Sequence, residues 1–183
     1  MARDRLAFGW DALPIILLFL VLRPARAAAV AMIPPHPGKG ITPTAAVKTG
    51  GATWKADRFA ALATKGIAGE LARSIVAHWA FETGWGIGEF NFNVGNRMAR
   101  AGETGHHLDD GGGPGWYKSY ATLDDGVADY LALLASARYA TAWALLQANP
   151  TDSAWIHKLV ESGYATLAPD EYERRYVSVR ARV

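Results

Sequence analysis

A chain of 183 residues with 50% hydrophobic and 11% aromatic content carries enough apolar surface for one sizeable core, which excludes a globally disordered protein. The formal charge of +2 is too mild to mark a nucleic-acid binder, so no nucleic-acid partner is expected. Cysteine is absent, which excludes a disulfide framework and thiolate metal ligation and leaves the fold to packing alone.

Residues 1–30 read as a targeting or anchoring segment. Arg3 and Arg5 precede an apolar run from Ala12 to Leu22, and small residues follow at Ala25 and Ala27. As a helix the run covers roughly 16 Å against a hydrocarbon core of about 30 Å, short for a span. A cleaved signal peptide and a retained anchor therefore both stay open, the second with membrane contact through residues 12–22. Residues 31–53 hold four of the nine prolines and no apolar period, the composition of an extended linker. A single domain is expected from Trp54 to Val183, since neither an internal repeat nor a low-complexity tract divides it.

That domain has a helical rhythm. Leu71, Ile75, His78, Trp79 and Glu82 share one face of a helix running into Gly84. Thr122, with Asp125 three residues on, caps a second helix that puts Val127, Tyr130, Leu131 and Leu134 on one face. A third spans Ala140 to Ala148 before Asn149-Pro150, a fourth runs from about Ser153 to Ser162, and a fifth begins at Pro169. Residues 91–120 break the pattern with glycine, polar and aromatic groups, as a long loop or a small hairpin lobe would. The class expected is α+β, mainly α.

Glu82 is the unusual residue. It lies in the last turn of its helix, on the apolar side, where desolvation and the negative end of the helix dipole both favour the protonated form. A carboxyl group that stays neutral near neutral pH beside Trp79 and Trp85 can protonate a departing sugar oxygen. The same position also suits a glutamate that caps or salt-bridges a helix end, and spacing alone leaves the two open. His78, four residues earlier, is within reach of Glu82, although core packing explains it as well. His106-His107 with Asp109-Asp110 are metal-ligand types, but adjacent histidines on a loop diverge and no HExxH spacing occurs, so neither metal nor cofactor is expected. The four arginines of the C-terminal ERRYVSVRARV read as a solvated helix face.

Three motifs in order carry a family resemblance. AHWAFETGWG (77–86) resembles the A-Q-A-x-x-E-T-G-W-G motif of glucosaminidase-type peptidoglycan hydrolases, glycoside hydrolase family 73, which includes flagellar muramidase-like and autolysin glucosaminidase domains. YKSYATLDDGVADYLALL (117–134), with Arg138-Tyr139 after it, is similar to the family's F-R-x-Y-x-S-x-x-E-S-V-x-D-Y-x-x-L…R-Y, and ESGYATLAPDEYERRY (161–176) to its G-Y-A-T-D-P-x-Y ending. The likeness covers about residues 68–177, nearly the whole folded domain.

The resemblance implies a lysozyme-like fold, with a helical lobe, a small β-lobe and a groove between them. It implies hydrolysis of peptidoglycan glycan strands at N-acetylglucosaminyl-β-1,4-N-acetylmuramic acid linkages. Glu82 matches the general acid, and Tyr164 matches the tyrosine that faces it. The second carboxylate is open. An inverting reaction seats a base about 6.5 to 9.5 Å from the acid and a retaining one a nucleophile at about 5 to 5.5 Å. Glu103 matches the family's glutamate ahead of the Tyr117 aromatic, though Ala101 stands where the family has threonine. Asp109 and Asp110 compete with it, and the substrate's own 2-acetamido group removes the need for any partner. Trp85, Tyr120 and Tyr139 match groove aromatics, and Asn93 lies near the family's N-x-F-G turn, here NFNVGN. Lytic transglycosylase or muramidase specificity is the nearest alternative. A non-catalytic wall-binding or structural module of a phage particle or a secretion or flagellar apparatus is the other class. Either way the protein is expected to be exported or virion-associated, with peptidoglycan as its partner.

Overall fold

The computed structural model describes residues 40–109 and 114–183. The leader, the first part of the linker and Asp110 lie outside them, as does the side chain of Asp109. Among the described residues the domain is mainly α, with six helices and one small sheet, the α+β class expected for a lysozyme-like domain.

The helices are α1 (Trp54–Thr64), α2 (Gly69–Thr83), α3 (Leu123–Ala135), α4 (Ala140–Ala148), α5 (Ala154–Glu161) and α6 (Pro169–Arg180). Five of them have the ends that the caps and breakers mark. Thr122 forms a full capping box with Asp125 at the start of α3, and Pro169 occupies the first turn of α6. Nothing in the sequence reading marks α1. Its inner face is Trp54, Arg58 and Leu62, so the middle member of the apolar stripe is an arginine and the periodicity is hidden. Helix α2 is more enclosed than a one-faced stripe predicts. α1 and α6 pack on it, and Ala72, Ser74 to Ala80 and Thr83 are all buried. Two polar residues, Ser74 and His78, are core with the apolar ones, as core packing of His78 would have it.

The stretch 91–120 resolves into a hairpin lobe. β2 (Thr104–Asp109) pairs antiparallel with β3 (Pro114–Lys118), in a register that sets His106 opposite Tyr117 and His107 opposite Trp116. β1 (Thr42–Pro43) adds a parallel edge, with Thr42 opposite Thr104. This corrects the linker assignment, because residues 40–53 belong to the domain. The Thr42 N–H donates to the Glu103 carbonyl (3.0 Å) and the Thr44 N–H to that of Gly105 (2.8 Å), while Pro43, with no N–H to give, takes the edge. Further on, the Asn91 side chain clips the strand to the domain. It accepts from the Val47 N–H (2.6 Å) and donates to the Ala45 carbonyl (2.8 Å). Proline and glycine mark the segment as extended, and its anchoring comes from partners about forty residues away, which a local reading does not see.

The loop from Gly84 to Asn96 links α2 to the hairpin lobe. Trp85, Asn91, Phe92 and Asn96 all have positive φ, between 48° and 61°. Left-handed backbone costs a side-chain-bearing residue roughly 1 kcal/mol or more, so the loop is held from outside. A buried cluster does this. Glu89, fully buried, pairs with the buried Arg58 of α1 and also accepts from Trp54 Nε1 (2.8 Å) and Thr49 Oγ1 (3.0 Å).

Candidate active site

The E-T-G-W-G stretch shows why Glu82 stands where it does. Gly84, at φ 57°, takes the left-handed position that ends α2, and the Trp85 N–H reaches back to the Ala80 carbonyl (2.9 Å). Thr83 folds its hydroxyl onto the Trp79 carbonyl (2.7 Å) and accepts from the Gly86 N–H (3.0 Å), tightening the exit. Asn96 crosses from the far end of the loop to donate to the Glu82 backbone carbonyl (2.5 Å). The acid therefore sits on a helix end pinned from both sides.

Its side chain is 16% exposed and lines a cleft. One wall is the loop segment Gly95 to Met98 with Arg100, and the other is Leu133, Tyr139 and Tyr164 from the helical lobe. Burial pushes the Glu82 carboxyl up to about 7, with a hydrogen bond from the Tyr172 hydroxyl opposing part of the rise. The negative end of α2 acts in the same direction as burial. The group thus keeps its proton well above the ordinary carboxylate range and is open on one side to a cleft.

Behind it lies a neutral polar core. His78 is fully buried, and burial depresses it to about 3, so it carries no charge at ordinary pH. Its Nδ1 bonds the Tyr130 hydroxyl (2.5 Å) and its Nε2 the Tyr172 hydroxyl (2.6 Å), while Glu82 Oε1 is 3.7 Å from Nε2. His78 and Glu82 therefore communicate through Tyr172.

Of the residues singled out from sequence, the structure brings Glu82, Tyr139 and Tyr164 to one cleft. Tyr164 donates to the Gly95 carbonyl (2.9 Å) and packs edge-on to Tyr139 at 6.0 Å between ring centres. Glu103 is engaged elsewhere. Its carboxylate pairs with Arg97 (2.8 Å) and Lys118 (3.1 Å) and accepts the Arg100 N–H (2.8 Å). Partial burial would raise its pKa, but these donors outweigh it and hold the group below the usual range. Tyr120 donates to Asp129 (2.6 Å). Asn93 is buried, with its amide spent on both backbone groups of Arg97, which fixes the turn. Trp85 packs edge-on to Trp54 with Arg182 over its ring, away from the cleft lining. His106 is buried against Ser119 and Tyr117, and His107 of β2 faces Trp116 of β3. Among the described residues no group of three His, Asp or Glu side chains is placed to hold a metal, and no helix is long and apolar enough to cross a membrane.

Four contributors escaped the sequence reading. Tyr130 and Tyr172 complete the network around His78. Asp129 joins the hairpin lobe to α3 by accepting from Arg97 (2.8 Å), Lys118 (2.7 Å) and Tyr120. Arg138 holds the turn before Tyr164 through the carbonyls of Ser162 (2.7 Å) and Gly163 (3.0 Å). All four stand inside or beside the quoted motifs, which was the available signal. Gly95 is a fifth constraint, because a Cβ there would come within 2.7 Å of the Tyr130 ring and 3.0 Å of the Tyr164 hydroxyl. Gly95→Ala is expected to cost about 1 to 3 kcal/mol through overpacking, read as a lower midpoint in thermal unfolding. Unaltered stability would mean that the cleft wall is loose.

No protein-family model and no curated protein matches the chain. Among solved structures it is similar to the crystal structure of a peptidoglycan hydrolase mutant from Sphingomonas sp. A1. The two are 25% identical over 69% of this chain and 86% of that one, with a TM-score of 0.46.

Proposed function

We propose that the domain is a glycoside hydrolase that cuts the glycan strand of peptidoglycan at N-acetylglucosaminyl-β-1,4-N-acetylmuramic acid linkages, with Glu82 as general acid. The observation that carries this reading is a largely buried carboxyl group on the wall of a cleft, which burial pushes up to about 7. Tyr139 and Tyr164 supply the aromatic surface and hydroxyl groups that sugars stack on and bond to. The Arg100 side chain, exposed on the same cleft, suits an anionic polymer. The three motifs quoted above support the choice of substrate. Glu103, held ionised by Arg97 and Lys118, enters only as an anion, as a base or nucleophile, and never as a donor. Among the described residues of the cleft lining Glu82 is the one carboxylate, which favours a route assisted by the substrate's 2-acetamido group. The reading requires delivery outside the cytoplasmic membrane, the task proposed for residues 1–30.

Mass analysis of fragments released from purified cell wall tests the reading. Reducing N-acetylglucosamine ends are expected. Anhydro-muramic ends would replace it with a lytic transglycosylase, and an intact wall to which the protein binds would leave a non-catalytic module. The pH profile gives a second check. A general acid works while protonated, so activity is expected to hold below about pH 7 and to fall up to tenfold per unit above it. A profile still rising between pH 7 and 9 would remove Glu82 from that role.

A further inference from the structure

Resting on that reading, we infer that His78 is a positioning residue: through Tyr172 it commits Glu82 Oε1 as an acceptor and leaves Oε2 to carry the proton delivered in the cleft. The argument is one of hydrogen-bond direction. An ionised Glu82 can only accept, so the Tyr172 hydroxyl donates to Oε1. Having given its proton, the Tyr172 oxygen accepts from His78 Nε2, which makes Nε2 the protonated nitrogen. Nδ1 is then bare and accepts from the Tyr130 hydroxyl. With Glu82 ionised a single tautomer satisfies all three bonds, and every bond points toward the acid; a proton taken up on Oε2 leaves that order intact, whereas one on Oε1 would require all three bonds to reverse. The arrangement ties α3, α2 and α6 together at one buried ring.

The relay works because it is neutral. The rings of Tyr130, Tyr164, Tyr172, Tyr176 and Trp155 surround His78, and the nearest carboxylate is Glu82 itself. A cationic partner in place of Tyr172 would drive Glu82 to ionise, whereas a phenol lowers its affinity for the proton only in part. The other groups that face Glu82 are His78 on its own helix, Tyr130 of α3, Tyr164 ahead of α6, and Arg97 and Arg100 across the cleft. The guanidinium of Arg97 is already committed to Asp129 and Glu103, which keeps its charge from setting the acid. Oε2 has no protein partner among the described residues, so it is the oxygen left for substrate.

The test follows the Glu82 carboxyl by carbon NMR across pH in the whole domain without substrate, beside wall cleavage at the same pH values. The wild-type midpoint is expected near 7. Tyr172→Phe removes one oxygen atom and should raise the midpoint by about one unit, since a hydrogen bond to the charged form is lost. His78→Leu should raise it too, because Tyr172 loses the donor that orients its hydroxyl. His78→Gln, whose amide offers both a donor and an acceptor, should restore the wild-type midpoint and move the alkaline limb of cleavage back with it. A midpoint unchanged in a folded His78→Leu protein overturns the relay. If that variant does not fold, an unchanged midpoint in Tyr172→Phe does so. Shifted midpoints together with full activity of Glu82→Gln would instead remove the catalytic reading and leave the relay standing.

Discussion

Replacing Glu82 with glutamine is expected to slow wall cleavage by about 10²- to 10⁴-fold, the usual worth of a positioned proton donor. Glutamine keeps the volume and can still accept from Tyr172, so the cleft should persist while the transferable proton is gone. Stability should move the other way. The folded-state pKa, about 7, lies above the ordinary 4.5, so between those values the unfolded chain releases the proton before the native one does. Native stability therefore falls as pH rises through this window, by about 3 kcal/mol once pH exceeds 7, and no such loss exists below pH 4.5. Glutamine does not titrate. The variant should thus match the wild type near pH 4 and exceed it at pH 8 in thermal unfolding. Unchanged wall clearing would sink the assignment, and equal stability at pH 8 would show that Glu82 is not desolvated.

The second large effect concerns Glu89, whose replacement by alanine is expected to cost about 3 to 5 kcal/mol. Arg58 would be left buried and charged at 2% exposure, and the bonds from Trp54 and Thr49 would lose their acceptor. For a domain of this size the unfolding midpoint should drop by about 10 °C. The damage should also reach the cleft, since this cluster pins the left-handed loop that carries Gly95 and Asn96. Replacing Arg58 and Glu89 together with methionine removes both charges and should recover most of the stability. A single Glu89→Ala variant within 0.5 kcal/mol of the wild type in urea unfolding would contradict this account.

The two predictions differ in how far the sequence foresaw them. Glu82 was legible because helical spacing and a helix-ending glycine are local, and its elevated pKa follows from the greasy neighbours that spacing supplies. Glu89 was not, because its partners Trp54, Arg58 and Thr49 lie 31 to 40 residues away and nothing local distinguishes it from a surface acid. The same reason hid α1, whose buried face includes Arg58. It also hid the anchoring of residues 40–53, whose bonds go to Asn91 and Gly105.

Within the site the division is similar. Tyr139 and Tyr164 were placed by motif and do meet at the cleft. Trp85, Asn93, Tyr120 and Glu103 come from equally recognisable stretches, yet Asn93 is spent on a turn, Trp85 packs with Trp54, and the other two join the ion-pair cluster around Arg97.

By itself, then, the chain determined most of the segments that coil, where most helices stop, and that one acid is carried on an apolar helix face, because these depend on neighbours within a turn or two. Only the tertiary structure decided what that acid touches. Tyr172 is 90 residues away and Tyr130 is 52 from His78, and the direction of a hydrogen bond between such groups is set by how three helices pack, not by the order of residues along any one of them.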